Sequence, residues 1–274
     1  MLTPKQQQHI KSLFLQADAL LITAGAGMGV DSGLPDFRGN QGMWQAYPAL
    51  GKQRMDFTSI ANPAAFRHNP KLAWGFYGHR LQLYRETLPH LGFELLQQLS
   101  EDWQLPYFIF TSNVDGQFQK AGFSDQQIYE CHGSIYHLQC MTACTKNIWS
   151  AQNLMPKIDP QHCTWQTQLP KCPDCGGLAR PNILMFNDHH WISHRTQQQQ
   201  QRLYAWLEEF SSPLVIEIGA GTAIPTVRYF SERFAPNVIR INPREASFSD
   251  IQGFSMASGA VSGIQTILDV LDMD

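Results

Sequence analysis

Four of the six cysteines stand in two tight pairs, Cys140-x3-Cys144 and Cys172-x2-Cys175, the second followed by Gly176-Gly177. Two short turns that each offer two thiolates meet the needs of tetrahedral Zn²⁺, and four thiolates would close its shell against water. The metal expected there is structural, with free thiols as the alternative. Cys163 lies between the pairs and is a candidate to replace one ligand. A second group of residues is reactive. His132 stands before Gly133, and an imidazole titrates near pH 6.5, which suits a general base. Ser112, Asn113 and Asp115 follow an apolar run, and polar side chains at the carboxyl end of a strand face a ligand crevice. A third group works through its backbone. Gly25, Ala26, Gly27 and Gly29 follow one apolar run, and Gly219, Gly221 and Thr222 follow another. Such turns let a backbone approach a phosphate and present helix N-terminal amides to it, although each alone is also an ordinary structural turn.

These groups need a frame that brings strand ends together. Residues 19–23, 107–111, 214–218 and 238–241 are short apolar runs, ending respectively at the first glycines, Asn113, Gly219 and Asn242. Between them lie stretches of helical spacing. Thr3 is a plausible cap before Pro4, with Ile10, Leu13 and Phe14 behind it, and residues 72–87 and 91–99 follow the same period, separated by Pro89. Short strands alternating with helices predict an α/β fold, a Rossmann-like doubly wound parallel sheet. The expected organisation is a dinucleotide-binding domain from residues 1–135 and 181–274, with a loop or helical insert over about 36–70. Residues 136–180, rich in proline and carrying the cysteine pairs, form the expected small zinc-binding module. Glutamines 197–201 read as the solvated face of a helix. His189, His190 and His194 cluster without paired carboxylates and read as a surface loop rather than a metal site.

Bulk properties narrow the partners. Hydrophobic residues make up 43% of the 274 positions, enough for a sizeable core. A net charge of −3 argues against a nucleic-acid-coating surface and leaves a small molecule or a protein as the partner. No apolar run approaches the ~20 residues of a membrane span. With no signal-peptide pattern after Met1, a cytoplasmic location is expected, and with it reduced cysteines.

The wording and order of the motifs add to this. Gly25-Ala26-Gly27-Met28-Gly29, Ser32-Gly33-Leu34-Pro35-Asp36-Phe37-Arg38, Thr111-Ser112-Asn113-Val114-Asp115 and His132-Gly133-Ser134 resemble the sirtuin (Sir2) family of NAD-consuming enzymes. The resemblance runs from about residue 19 to 245. It implies that Asp36, Phe37 and Arg38 border the nicotinamide-ribose pocket, with Phe37 over the reactive carbon. Asn113 and Asp115 would line the nicotinamide pocket, and His132 would be the base, giving a catalytic set of His132, Asn113 and Asp115. Gly219, Gly221, Thr222 and Asn242 resemble the segments that hold the adenosine half of NAD. The implied partner is a protein or peptide bearing acyl-lysine. Its amide oxygen would attack the ribose carbon as nicotinamide leaves, and His132 would deprotonate the ribose hydroxyl that attacks the resulting imidate. Nicotinamide, O-acyl-ADP-ribose and free lysine would result.

Several positions depart from the family wording. Ser112 stands for Gln, Gln117-Phe118 for Leu-His, Cys131 for an apolar residue and Ala223 for Ser. In Arg180-Pro181-Asn182-Ile183-Leu184-Met185-Phe186-Asn187-Asp188, the last two residues replace Gly-Glu beside the acyl-lysine tunnel. A side chain at position 187 is expected to hinder a peptide that adds by strand pairing. These departures keep two alternatives in view: ADP-ribosyl transfer or NAD hydrolysis on the same scaffold, and a non-enzymatic NAD-sensing module.

Overall fold

A computed structural model describes residues 2–35, 39–52, 54–249 and 251–272. The strands are β1 (Ala19–Ala24), β2 (Tyr107–Thr111), β3 (Ile128–Glu130), β4 (Gly133–Cys140), β5 (Ile148–Ser150), β6 (Ile158–Asp159), β7 (Thr164–Trp165), β8 (Ala179–Ile183), β9 (Pro213–Ile218), β10 (Val238–Ile241) and β11 (Phe254–Met256). The first helices are α1 (Pro4–Gln16), α2 (Gly39–Ala46), α3 (Pro48–Lys52), α4 (Phe57–Ile60), α5 (Pro63–His68) and α6 (Pro70–Glu86). After them come α7 (Leu91–Asp102), α8 (Gln117–Lys120), α9 (His194–Leu207), α10 (Thr226–Ser231) and α11 (Ala260–Leu271).

Six strands form one sheet in the order β11-β10-β9-β1-β2-β3. Every pairing in it is parallel. Along β1 the side chains alternate. Leu20, Ile22 and Ala24 enter a core shared with α1, α7 and α11, while Leu21 enters a core shared with α9 and α10. With helices on both faces, the expected doubly wound sheet is observed. The chain moves outward from β1 through β2 to β3, then returns to lay β9, β10 and β11 on the other side. The strand order therefore reverses between β1 and β9, where open α/β sheets bind ligands beyond their carboxyl ends.

Thr3 starts α1 with a capping box. Its Oγ1 accepts from Gln6 N at 3.3 Å, and Gln6 Oε1 accepts from Thr3 N at 2.9 Å. The stretch expected to be a loop or helical insert contains α2 to α5. A second, antiparallel sheet, β5-β4-β8, and the β6-β7 hairpin hold the cysteine-rich stretch. These strands are not isolated from the rest. Ile135, Leu138, Trp165 and Ile183 share one core with Met43, Leu50, Ile60, Phe66, Trp74, Phe76 and Tyr77 of the helices. A Cβ at Gly75 of α6 would fall 1.9 Å from Cys163 O, so only glycine permits this approach. The glutamine run lies on α9 as expected, but Gln199 is buried. Its Oε1 accepts from Glu130 N at 3.2 Å and its Nε2 donates to Glu130 Oε2 at 3.3 Å, tying the helix to β3.

Candidate active site

The carboxyl ends of β1 and β9 interlock. Gly25 N donates to Ile218 O and Gly27 N to Gly219 O, each at 3.0 Å. Gly219 has φ 63°, and a Cβ there would sit 2.3 Å from the Gly27 carbonyl carbon. Any other residue would therefore wedge the two turns apart. A short 3₁₀ helix, Ala26–Ser32, leaves the first turn, and Met28 N donates to Gly25 O at 3.0 Å. The Gly27 amide is thus engaged across to the second turn and the Met28 amide within the first.

At the end of β2, Thr111 Oγ1 donates to Ala24 O, and Asn113 Nδ2 donates to Gly25 O, each at 3.0 Å. Asn113 thereby fixes the glycine turn from the neighbouring strand. Asp115 is buried and accepts from Gln117 N at 3.0 Å. Burial pushes its carboxyl up to about 6, assisted by Glu130 and opposed by the Gln117 amide and Arg80. His132 lies between β3 and β4. Burial lowers its pKa below the ordinary 6.5, with a hydrogen bond to the Ser112 backbone acting against the shift. The imidazole is therefore neutral at neutral pH, as a general base must be.

One cavity of about 350 Å³ gathers these groups. Gly25, Ala26, Ser112, Asn113, Asp115, His132, Gly219 and Gly221 line it, together with Leu184, Met185 and Phe186 after β8. Other expected residues lie beside it. Thr222 Oγ1 donates to Glu245 Oε1 at 2.6 Å. Asn242 is fully buried: its Nδ2 donates to Ala220 O at 2.9 Å and its Oδ1 accepts from the Arg244 and Glu245 amides at 3.0 and 2.9 Å. Asn242 thus holds the Gly219–Gly221 loop from behind. Asp36, Phe37 and Arg38 lie outside the described residues.

Three further lining residues lie on α6, a segment whose sequence shows helical spacing and no site motif. Tyr77, Arg80 and Tyr84 all line the cavity. The Arg80 guanidinium donates through Nε and Nη2 to Tyr84 Oη, at 2.9 and 2.6 Å, and lies 5.3 Å from the Phe76 ring centroid. The available signal was an arginine at i+3 from Tyr77 and i−4 from Tyr84, on the buried face of the helix.

The acceptor side differs from its expectation. Neither Asn187 nor Asp188 lines the cavity. Asp188 turns inward and binds Arg180 through both oxygens at 2.7 and 2.8 Å, with both side chains fully enclosed. Its oxygens also accept from Met185 N and His190 N. Asn187 has φ 54°, a conformation that asparagine tolerates and glycine adopts freely. Asn187→Gly is therefore expected to leave peptide turnover within about threefold of the parent, because it opens no space in the cavity. A larger gain in steady-state assays on acetyl-lysine peptides would restore an obstructing role for that side chain.

Cys140, Cys144, Cys172 and Cys175 come together, with their sulfur atoms all within 4.8 Å of one another. The Cys140–Cys175 and Cys144–Cys172 sulfur pairs are each 3.7 Å apart. Four thiolates at ~2.3 Å from a tetrahedral zinc would lie about 3.8 Å from one another, so the set fits that ion. Cys163 is buried in the second core and is not part of the set. His189, His190 and His194 form no ligand cluster among the described residues.

The family model described as the Sir2 family matches residues 25–213. An NAD-dependent protein deacylase of Aquifex aeolicus (strain VF5) is 26% identical, the alignment covering 92% of this chain and 95% of that one. Another, of Thermococcus sibiricus (strain DSM 12597 / MM 739), is 29% identical over 91% of this chain and 90% of the relative. Among solved structures, a Sir2 homolog–NAD complex superposes with a TM-score of 0.73 at 24% identity, covering 97% of this chain and 93% of the other. Sir2Tm bound to a propionylated peptide gives a TM-score of 0.68 at 20% identity, with 96% and 97% covered. The match spans well over half of the sequence, and the chain belongs to the Sir2 family.

Proposed function

We propose that this chain is an NAD-dependent protein-lysine deacylase that releases nicotinamide and O-acyl-ADP-ribose. The observation that carries the proposal is a neutral, half-buried His132 in the same cavity as Asn113, Asp115 and the glycine turns of β1 and β9. Bound NAD would supply the electrophilic ribose carbon. His132 would accept the ribose hydroxyl proton, while Asn113 and Asp115 would position the nicotinamide end. Gly25, Gly219 and Gly221 leave the wall open for the dinucleotide, with Asn242 and Thr222 bracing that loop. Relatives named as deacylases over most of their length support this reading. Residues 136–180 would be the structural zinc module, packed on α6 so that β8 leads into Leu184–Phe186. No helix among the described residues is long and apolar enough to cross a membrane.

Mass spectrometry of NAD-derived products with an acyl-lysine peptide panel tests the proposal. The panel includes acyl chains that end in a carboxylate, because Arg80 places a buried guanidinium in the cavity wall. O-acyl-ADP-ribose supports deacylation. Free ADP-ribose or ADP-ribosylated protein would move the assignment to hydrolysis or transfer, and unchanged NAD would move it to a sensor.

The same geometry sets a cost in stability. The Asp115 carboxyl titrates near 3.8 when unfolded and about 6 when folded. Below pH 4 it is protonated in both states and costs nothing. From pH 4 to 6 the folded state binds the proton more tightly, so stability falls as pH rises and the penalty is complete above 6. A shift of this size corresponds to roughly 3 kcal/mol. Asp115→Asn is therefore expected to raise the melting temperature at pH 7, by a margin that disappears near pH 4, while NAD turnover falls. Melting curves of both proteins that run parallel from pH 4 to 7 would contradict this.

A further inference from the structure

A second cavity, of about 660 Å³, lies on the other side of the segment that carries Asp115. Asn113 and Asp115 line the reactive cavity, whereas Gly116 and Lys120 line this one. Its wall brings together Arg85, Lys120, Arg195 and Arg202, and Asp125 is the one acidic residue in its lining. The chain as a whole carries a net charge of −3, so this concentration of cations runs against its average.

Arg85, Lys120 and Arg202 are held in place without being neutralised. Arg85 Nη1 donates to Leu154 O at 2.6 Å, and its Nη2 donates to Ala151 O at 2.7 Å. Lys120 Nζ donates to Arg85 O and Thr87 O at 2.7 and 2.6 Å. Arg202 donates to Gln126 O and Asp125 O at 3.0 and 3.3 Å. All of these acceptors are uncharged carbonyls, which fix the side chains and leave their charge uncompensated. Arg195 alone has an acidic partner, Glu130 Oε2 at 2.5 Å, and its Nη1 is buried with no hydrogen-bond partner. His137 Nδ1 in the same wall is also buried without one. Burial and the Arg195 charge push the His137 imidazole down to about 4, the direction that a positive local potential produces.

We infer that this cavity binds a small polyanion, a molecule carrying two or more phosphate or carboxylate groups. Rigid guanidinium groups suit such ligands, because their donors are already oriented when the anion arrives. The cavity volume falls within the range of about 300–1,000 Å³ typical of small-molecule sites.

The test is calorimetric titration of the full chain in low-salt buffer without nucleotide, with substitutions in this cavity's own wall telling it from the reactive one. Inorganic pyrophosphate and citrate are the two probes. Saturable binding of either is expected, and the tighter of the two identifies phosphate or carboxylate as the preferred group. The double substitution Lys120→Gln and Arg202→Gln touches only carbonyl contacts. It should weaken binding by at least about tenfold, as expected for the loss of two charge-assisted contacts. NAD turnover and the melting temperature of the double variant should stay at parental values. If the double variant melts lower, Arg202→Gln alone should still weaken binding by about threefold or more. No saturable binding of either probe, or the same affinity in parent and variants, overturns the inference.

Discussion

Replacing His132 with alanine is expected to lower acyl-lysine turnover by about 10²–10⁴-fold, the usual loss when a general base is removed. NAD affinity should stay within a few-fold of the parent. The two effects separate because of where His132 sits. Its main chain belongs to the β3–β4 connection, and its carbonyl accepts from Leu184 N at 2.9 Å, a contact that alanine keeps. The interlocked turns that would hold the dinucleotide belong to β1 and β9. Burial holds the imidazole pKa below 6.5, with the Ser112 backbone opposing the shift. His132 is therefore active as a base above its lowered pKa, and the acid limb of the parental kcat/KM profile should lie below pH 6.5. Single-turnover rates and calorimetric NAD binding on parent and variant check both parts. A variant rate within a few-fold of the parent would remove His132 from the base role, and an acid limb above 6.5 would mean that the limiting proton belongs to another group.

The parts of this fold that could be read from the sequence are those buried on both faces. β1, β2, β9 and β10 lie inside a parallel sheet, so they appear as mainly apolar runs, interrupted only by Glu217 in β9 and Arg240 in β10, which pair with each other at 2.6 Å, and by threonine in β1 and β2. β3 and β11 have three residues each, too few to set a period. β8 is hidden for another reason. Its sequence Ala-Arg-Pro-Asn-Ile is entirely buried although it contains Arg180 and Asn182. Arg180 is enclosed with Asp188, and Asn182 Nδ2 donates to Gln139 Oε1 at 2.9 Å. Burial of such residues depends on partners far along the chain, which local pattern cannot supply. Arg80 was missed for a different reason: its ring partners are local, but helical spacing alone does not show that this face of α6 borders a cavity. At the site, Asn113, Asp115 and His132 were legible because they follow strand ends in a recognisable order. Thr222 and Asn242 were equally legible as positions, but only the geometry shows that they support the loop from outside the cavity. The conformation of Asn187 was not legible, because the sequence shows which residue is present and not the backbone angle it adopts.

Removing zinc should produce the second large effect. Protein purified without chelator is expected to contain one Zn²⁺ per chain, held by Cys140, Cys144, Cys172 and Cys175. Four thiolates leave no open position, so the ion would contribute folding energy and no chemistry. Its loss acts first on the strand pair it closes. Cys140 ends β4, and Met141 N donates to Leu178 O at 2.9 Å just before β8. Cys172 N donates to Gly177 O at 2.7 Å within the second cysteine turn. Without the ion, four thiols meet at 3.7 Å contacts with nothing to hold them, and the β4–β8 ladder should open from this end. Chelation or Cys172→Ser should therefore raise amide exchange over residues 140–178 before β1, β2 and β9 respond. The loss should reach the cavity through β8, which continues into Leu184, Met185 and Phe186, so the peptide KM should rise before NAD binding fails. Because Trp165 packs on Trp74 of α6 at 5.6 Å between ring centroids, tryptophan fluorescence reports the opening directly. Metal analysis that finds no zinc, or exchange that rises at the same moment in β1 and in residues 140–178, would show that the cysteine set does not stabilise this part of the molecule separately.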